Sequence, residues 1–339
     1  MGFVELSEAE QTALLAGLAH RALRAWRFEE AELGLIKYRE NAVFRVTPAG
    51  GDRNVLRVHR PAYRTDDEIR SEAAWIRALG ASGVETPAML PAENGDVLSI
   101  ASHEGVPEPR QCDLLAWVDG APVGTLEGGV ALDDCGLREL YATIGTIAAR
   151  IHAHGLEWQR PAGFARPSWS AETLVGDSPT FGRFWELADL DPDLRALLLA
   201  ARDRARERLD ALGPANELIH GDLVPDNVLT ADAAIRVIDF DDCGWSWFGF
   251  ELATSLFPLR LLGGFEPALA GYLEGYRAVR AFPQHQLEEL PTLLVARGLS
   301  YLGWTVGRPE IAAQRPLVPF LAHAMGEMAR DYVAGARAG

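Results

Sequence analysis

The sequence predicts an α+β, bilobal chain, with a small β-rich N-terminal lobe built on an antiparallel sheet and a larger, mainly α-helical C-terminal lobe. Its length of 339 residues exceeds what one small core needs. Strand-like alternation of apolar and polar residues marks the first third, and helical periodicity dominates from about Gly120 onward. We therefore expect an N-terminal lobe over 1–115, a hinge over 116–120 and a C-terminal lobe over 121–339.

The N-terminal lobe begins with a predicted helix and continues with a predicted hairpin. Ser7 stands three residues before Glu10, the spacing of a capping box, and apolar residues follow at helical intervals. Apolar and polar residues then alternate on both sides of the turn-forming segment PAGGD, which is typical of a β-hairpin. Segment 65–83 has an acidic first turn and a terminal glycine, so a helix is predicted there. Strand patterns at 97–102 and 111–120 complete the lobe.

Helical patterns fill most of the C-terminal lobe. They cover 137–155, 193–213 and 265–279, and a further set follows towards the C-terminus. One β pattern interrupts them, at 217–242. The polar residues that suggest a function lie in this interruption.

Composition and charge narrow the class of protein. Apolar residues make up 48% of the chain and charged residues 24%, which is typical of a globular protein. The net charge of -16 argues against nucleic-acid binding, which needs a clustered basic face, and favours either small cationic partners or simply solubility. The three cysteines form no CxxC pair, and the N-terminus lacks the pattern of a signal peptide. Since no stretch approaches the roughly 18 apolar residues of a membrane span, we expect a cytoplasmic protein without a membrane partner.

The segment IHGDLVPDN, residues 219–227, carries the first part of the candidate site. Aspartate, asparagine, glycine and proline are ordinary turn formers, so the segment alone favours a turn. Two apolar segments joined by ADAA follow it and predict a hairpin that brings Asn227 next to Asp239. Oxygen ligands on a rigid hairpin suit Mg²⁺, which takes one or two carboxylates from a protein. Asp239 would end a buried strand, where an unpaired carboxylate is costly and a metal removes that cost.

The order and spacing of these residues resemble those of a known family. HGDLVPDN, followed by a strand that ends at Asp239, resembles the catalytic and metal-binding loops of the aminoglycoside-phosphotransferase and kinase-like superfamily. Gly221 in place of arginine is closer to its small-molecule branch, which includes choline, homoserine and hydroxylysine kinases and the stress-response kinase. The resemblance implies a protein-kinase-like fold in which Asp222 accepts or orients the proton of an acceptor hydroxyl. It also implies that Asn227 and Asp239 bind Mg²⁺ and that His220 shapes the loop.

The resemblance also assigns residues to ATP. Arg57 falls where the family usually places the lysine that holds the α- and β-phosphates, and Glu72 matches the acid that pairs with it. LLAWVDG matches the connector that binds adenine, through the backbone groups of Ala116 and Val118. Arginine keeps the positive charge but differs from lysine in reach and hydration. ATP and Mg²⁺ are therefore the expected cofactors.

The first hairpin departs from the kinase pattern. KYRENAVFRV contains no glycine-rich phosphate loop, and Glu40 and Asn41 occupy the turn instead. The small-molecule branch commonly lacks such a loop, so the departure leaves the predicted nucleotide site in place.

The sequence is compatible with several functions. The first is an ATP- and Mg²⁺-dependent kinase that acts on the hydroxyl of a small, amine-bearing metabolite, like homoserine kinases or aminoglycoside phosphotransferases. The second is a stress-response-type protein serine/threonine kinase, and the third is a non-catalytic pseudokinase, which Arg57 in place of lysine keeps open. A phosphohydrolase built on DFDD is disfavoured, because haloacid-dehalogenase-like enzymes carry such a pair on the first strand of a Rossmann-like domain. The acceptor, the oligomeric state and the roles of Asp241 and Asp242 stay open.

Overall fold

The chain folds into two compact units. The computed structural model describes residues 2–39, 41–125, 128–232, 234–306 and 317–335, so the predicted turn residue Glu40 lies outside the described part. The first unit consists of Met1–Asp119 and Gln159–Arg166, and the second of Gly120–Trp158 and Pro167–Gly339. The first unit therefore includes a short segment from the middle of the chain.

The first unit is built on a five-stranded antiparallel sheet with the strand order β1-β2-β3-β5-β4. Its strands are β1 (Glu32–Tyr38), β2 (Ala42–Thr47), β3 (Asn54–Val58), β4 (Leu98–Ala101) and β5 (Arg110–Ala116). Its helices are α1 (Glu8–Ala22) and α2 (Asp66–Ala81), and short 3-10 helices lie at Phe3–Glu5 and Leu23–Trp26. The antiparallel sheet, the hairpin of β2 and β3 and both helices confirm the sequence-based predictions.

Helix α1 begins at the capping box that the sequence predicts. The Ser7 hydroxyl accepts a hydrogen bond from the Glu10 amide, and the Glu10 carboxylate accepts one from the Ser7 amide at 2.9 Å. The apolar face of α1, including Leu15 and Leu18, packs with Phe44 of β2 in the core of this unit. Burial of each such side chain contributes about 1.5–3 kcal/mol, so the amphipathic pattern is what fixes α1 to the sheet.

The register of β3 against β5 places Arg57 directly opposite Asp113. Side chains of cross-strand partners lie on the same face of a sheet. The sheet therefore brings a cation and an anion together, and α2 adds Glu72 to them.

The second unit is mainly helical. Its helices are α3 (Asp134–Glu157), α4 (Ala171–Val175), α5 (Pro192–Leu212), α6 (Phe248–Leu262), α7 (Phe265–Val279), α8 (Gln284–Glu288), α9 (Leu290–Val306) and α10 (Leu317–Gly335). Short 3-10 helices lie at Phe184–Glu186 and Pro225–Asn227. Helices α3 and α7 pack closely because a glycine lies at their contact, where a Cβ on Gly275 would be 1.7 Å from the carbonyl oxygen of Ala142.

Short strands of the second unit position the candidate site. They are β6 (Ala121–Pro122), β7 (Glu217–Ile219), β8 (Val228–Ala231), β9 (Ala234–Val237) and β10 (Gly244–Ser246). Strands β8 and β9 form the predicted hairpin, β6 pairs with β8, and β7 pairs with β10. Within the described ranges, no helix combines the length and the apolar character that a membrane crossing requires.

Candidate active site

The loop between β7 and β8 carries the predicted catalytic residue, Asp222, directly after a glycine in a left-handed conformation. Gly221 has a φ of 85°, and a Cβ there would lie 2.3 Å from the carbonyl oxygen of Asp242. Glycine tolerates positive φ without the steric penalty that other residues incur. The turn therefore depends on glycine at this position, and the arginine of the protein-kinase pattern would not fit it.

A buried carboxylate from α6 holds the backbone of this loop. Glu251, which is fully buried, accepts a hydrogen bond from the His220 amide at 2.6 Å and from the Gly221 amide at 3.2 Å. Two backbone donors of the loop are thereby satisfied by one side chain, and hydrogen bonds to a charged group are stronger than neutral ones. Helix α6 therefore fixes the loop just before Asp222.

Two buried histidines complete this cluster. Nε2 of His152 lies 3.7 Å from Oε2 of Glu251, and the His152 ring stacks on Phe248. Burial lowers the pKa of both His152 and His220. For Glu251, burial acts to raise the pKa, but the neighbouring His152 and His220 outweigh it, so the pKa of this carboxyl lies below its ordinary value. An ionised carboxylate among neutral imidazoles therefore describes the cluster at neutral pH.

The carboxylate of Asp222 is held at both of its oxygens. Nδ2 of Asn227 donates to Oδ2 at 2.8 Å and to the Asp222 carbonyl oxygen at 2.9 Å. Nη2 of Arg297, on α9, donates to Oδ1 at 3.0 Å. The side chain of Asp222 is still 26% exposed. The hydrogen bonds from Asn227 and Arg297 therefore orient the carboxylate while it remains accessible to solvent.

The hairpin of β8 and β9 brings the two predicted metal ligands to adjacent positions. The amide of Ile238 donates to the carbonyl oxygen of Asn227 at 3.0 Å, which places Asp239 one residue further along the returning chain. Asp239 is exposed and has a φ of 65°, so the expectation of a buried carboxylate there is wrong. The chain turns out of the strand after Val237, which carries the side chain to the surface. Aspartate tolerates the left-handed conformation better than most residues, and such outliers cluster at functional sites.

The donor set of Asn227 and Asp239 fits a hard divalent cation. Nδ2 of Asn227 is engaged with Asp222, which leaves the amide oxygen as the atom that can face a cation. In the part of the chain that the structure describes, no three His, Cys, Asp or Glu residues are grouped as a metal cage. Mg²⁺ needs no such cage, because it usually keeps several waters and takes only one or two protein carboxylates together with phosphate oxygens.

In the first unit, Arg57 lies between two buried carboxylates. Its Nε and Nη2 donate to Oδ1 and Oδ2 of Asp113 at 2.8 and 2.7 Å, and its Nη1 lies 2.9 Å from Oε1 of Glu72. His59 adds Nε2 at 2.8 Å from Oδ2 of Asp113. The structure thus brings the predicted pair of Arg57 and Glu72 together and adds a second acid to it.

Charge compensation makes this cluster tolerable in the core. Burial acts to raise the pKa of Asp113, but the charge of Arg57 and the hydrogen bonds from His59 and Arg57 outweigh it and hold that pKa well below its ordinary value. Glu72 has a second cation nearby, because Nη1 of Arg166 lies 3.7 Å from its Oε2. The two buried acids therefore hold Arg57 in a fixed orientation.

Some backbone groups of the connector residues form hydrogen bonds within the protein. The amide of Ala116 donates to the carbonyl oxygen of Ala88 at 2.8 Å, and the amide of Trp117 donates to the carbonyl oxygen of Arg53 at 3.2 Å. The carbonyl of Ala116 and both the amide and the carbonyl of Val118 are the backbone groups of the predicted adenine site that these bonds do not use. The sequence motif identifies residues only, so it could not predict which backbone amides and carbonyls of the connector form hydrogen bonds within the protein.

Sequence reasoning missed the residues that support the predicted ones. These are Asp113 beside Arg57, Glu251 under the loop and Arg297 beside Asp222. Each is a single charge within an otherwise apolar stretch, namely QCDLLA, FGFELATSLF and TLLVARGLSYL. A charged residue is rarely buried unless it is paired. That pattern was the available indication that all three have partners in the core.

The fold and the site together define a phosphotransferase of protein-kinase-like fold that phosphorylates hydroxyl groups. Residues 36–286 match the phosphotransferase enzyme family, and the chain belongs to that family. Membership confirms the predicted family and the predicted class of enzyme.

Three relatives illustrate the family. An uncharacterised protein of Deinococcus radiodurans is 28% identical over 304 residues, which cover 87% of this chain and 82% of that protein. The homoserine kinase of Azorhizobium caulinodans is 26% identical over 254 residues, which cover 72% of each protein. The solved structure of a microcompartment-associated aminopropanol kinase is 29% identical, covers 94% of this chain and 98% of that one, and superposes with a TM-score of 0.82. This similarity confirms the predicted fold class.

Proposed function

We propose that the protein is an ATP- and Mg²⁺-dependent kinase that transfers the γ-phosphoryl group to the hydroxyl of a small, amine-bearing metabolite. The observation that carries this proposal is the carboxylate of Asp222, which is held at both oxygens and remains accessible. Phosphoryl transfer depends mostly on positioning and charge neutralisation, and a fixed carboxylate supplies the first. Kinases named for aminopropanol and homoserine among the relatives favour a metabolite over a protein as the acceptor.

In this proposal Asp222 orients the acceptor hydroxyl and takes up its proton. The acceptor oxygen forms a bond to the γ-phosphorus, the bond from that phosphorus to the β,γ-bridging oxygen breaks, and ADP leaves with the electron pair. Asn227 and Asp239 would hold Mg²⁺, which neutralises phosphate charge when it is bound. Glu251 acts on the step only through the loop, because its hydrogen bonds go to the amides of His220 and Gly221.

The nucleotide is assigned to residues of the first unit. Arg57 is the proposed phosphate contact, kept in orientation by Glu72 and Asp113, and Ala116 and Val118 are the proposed adenine contacts. The proposed lobes keep the predicted boundaries of 1–115 and 121–339, with 116–120 as the hinge. Use of ATP fits a cytoplasmic enzyme.

The test is ADP release across a panel of hydroxyl compounds: homoserine, 1-amino-2-propanol, choline, ethanolamine, hydroxylysine, an aminoglycoside and a generic protein substrate. We expect turnover with at least one small molecule, dependence on added Mg²⁺ and little activity with the protein. Asp239→Ala should raise the Mg²⁺ concentration required for half-maximal rate by at least about tenfold, the effect of losing roughly 1.4 kcal/mol of binding.

Asp232→Ala is the matched control for that variant. Asp232 is an exposed residue of the turn between β8 and β9, on the same hairpin as Asp239. Its Mg²⁺ dependence should match that of the wild type. ATP binding without turnover of any compound would contradict the kinase proposal and favour a pseudokinase.

A further inference from the structure

Helix α9 carries a buried arginine next to the proposed catalytic carboxylate. Arg297 is only 7% exposed. Of the hydrogen bonds and ion pairs among the described residues, its guanidinium takes part in one contact, the bond from Nη2 to Oδ1 of Asp222. A guanidinium has five N–H donors, and this contact uses one of them. Nε and Nη1 of Arg297 are therefore available for a ligand that the protein itself does not supply.

The same face of α9 continues with aromatic side chains. Tyr301 lies one turn further on, with the Cζ atom of Arg297 5.9 Å from its ring centroid, and Trp304 stacks on Tyr301 at 5.5 Å. Residues spaced by three and four positions share one face of a helix. An apolar surface thus adjoins the cation, which suits an organic acceptor with a short carbon chain and an acidic end.

The position of Asp222 decides which ligand Arg297 meets. If Asp222 orients the acceptor hydroxyl, the substituents a few bonds from that hydroxyl reach the neighbouring guanidinium. A planar carboxylate matches the fork of an arginine, whereas an ammonium group at the same place is repelled by it. Arg57 shows that one buried guanidinium in this protein holds two carboxylates at once.

We propose that Arg297 is a specificity-determining residue that binds a carboxylate of the acceptor, so that the substrate is a hydroxy acid or a hydroxy amino acid. The proposal rests on the kinase function argued above and refines it. An amine on the acceptor points away from Arg297, and the carboxylate points towards it.

The experiment compares acceptors that differ only by the carboxylate. Suitable pairs are L-homoserine with 3-aminopropan-1-ol, L-serine with ethanolamine, and 4-hydroxybutanoate with propan-1-ol. We expect the wild type to prefer the acid of at least one pair in kcat/KM by about 10- to 100-fold, the range of one charge-assisted hydrogen-bonded contact. This preference needs no variant and is therefore independent of any folding defect.

Arg297→Gln should remove most of that preference by raising the KM of the acid while leaving the KM of the amine or alcohol unchanged. Arg297→Lys should keep part of it, because the charge remains but the fork is lost. Arg277→Gln, an exposed arginine on α7, is the matched control and should leave the preference intact. Equal loss of kcat for both members of a pair would overturn the proposal, because Arg297 would then act on Asp222 or on the transferred phosphoryl group.

Equilibrium binding separates this inference from the kinase proposal. Calorimetry with 4-hydroxybutanoate and propan-1-ol, without ATP and with a non-hydrolysable ATP analogue, measures acceptor binding when no turnover occurs. Carboxylate binding that Arg297→Gln abolishes, in a protein that phosphorylates nothing, would support the site and contradict the kinase. Turnover of amino alcohols with no preference for acids would support the kinase and overturn the site. If neither carboxylate binding nor turnover were observed, both the carboxylate site and the kinase function would be overturned.

Discussion

Two arginines, one in each unit, are both more than nine-tenths buried but are paired in different ways. Arg57 is 5% exposed and lies between Asp113 and Glu72, whereas Arg297 is 7% exposed and is bonded to Asp222 alone among the described residues. The acids differ as well, because the side chain of Asp113 is fully buried and that of Asp222 is 26% exposed.

The difference separates a cation that the protein compensates with two carboxylates from one that it pairs with a single carboxylate. Around Arg57, two acids compensate the cation, and the three side chains tie β3, β5 and α2 together. Beside Arg297, one accessible acid leaves donor capacity that a ligand can use. The two arginines therefore differ in how many of their donors contact carboxylates of the protein, and the remaining donors of Arg297 are those that a ligand can contact.

The largest expected effect on stability is from removing an acid of the Arg57 cluster. Asp113→Leu leaves the guanidinium with half of its compensation in the core and should lower the free energy of unfolding by about 3–5 kcal/mol. Urea unfolding at pH 7 measures it. Asp52→Leu, at an exposed loop position of the same unit, is the control and should change stability by less than about 0.5 kcal/mol. A loss of under about 1 kcal/mol in Asp113→Leu would show that the cluster is not a structural element.

A smaller effect on the free energy of unfolding is expected when Arg57 is replaced by lysine, which keeps the positive charge but not the planar guanidinium group. Arg57→Lys loses the two-point contact with Asp113 and should lower the free energy of unfolding by about 1–2 kcal/mol. The KM for ATP should stay within about threefold of the wild-type value, because the positive charge proposed to face the phosphates remains. The opposite result is unchanged stability with a sharply raised KM for ATP. It would mean that the guanidinium group of Arg57 binds the nucleotide and that its contact with Asp113 does not stabilise the fold.

The smallest expected effect is on the pH dependence of stability in the second unit. Burial lowers the pKa of His152 in the folded protein. Below about pH 6.5 the unfolded chain therefore binds more protons than the folded protein, and the free energy of unfolding decreases as the pH is lowered. His152→Asn removes this group and should flatten the fall between about pH 7 and 5.5 by up to about 1.4 kcal/mol per pH unit. Urea midpoints across that range measure the slope. His323→Asn, an exposed histidine on α10, should leave the slope unchanged, and an equally steep slope in His152→Asn would count against a neutral buried imidazole.

The sequence predicted the elements whose signals are local. The capping box at Ser7 begins α1, the alternation around PAGGD becomes the hairpin of β2 and β3, and the second hairpin brings Asn227 beside Asp239. Hairpins and helix caps depend on residues a few positions apart, so a sequence pattern contains their cause.

The supporting residues of the site could not be assigned in the same way. Asp113 meets Arg57 across 56 positions, and Arg297 meets Asp222 across 75. Contacts at such separations depend on tertiary packing and not on local preference. The exposed position of Asp239 was missed for a related reason, because hydropathy cannot show that the backbone leaves the strand and adopts a φ of 65° at Asp239 itself.

The most direct test of the proposed active site is the rate of phosphoryl transfer in Asp222→Asn. With the acceptor identified from the panel, we expect kcat to fall by about 10³-fold or more, while binding of the Mg²⁺–ATP complex stays close to that of the wild type. Asparagine preserves the shape of the side chain and an oxygen for Arg297 but cannot take up a proton. Asp232→Asn, on the adjacent hairpin, should keep wild-type turnover. Near-normal turnover in Asp222→Asn would contradict the assignment of Asp222 as the residue that orients and deprotonates the acceptor.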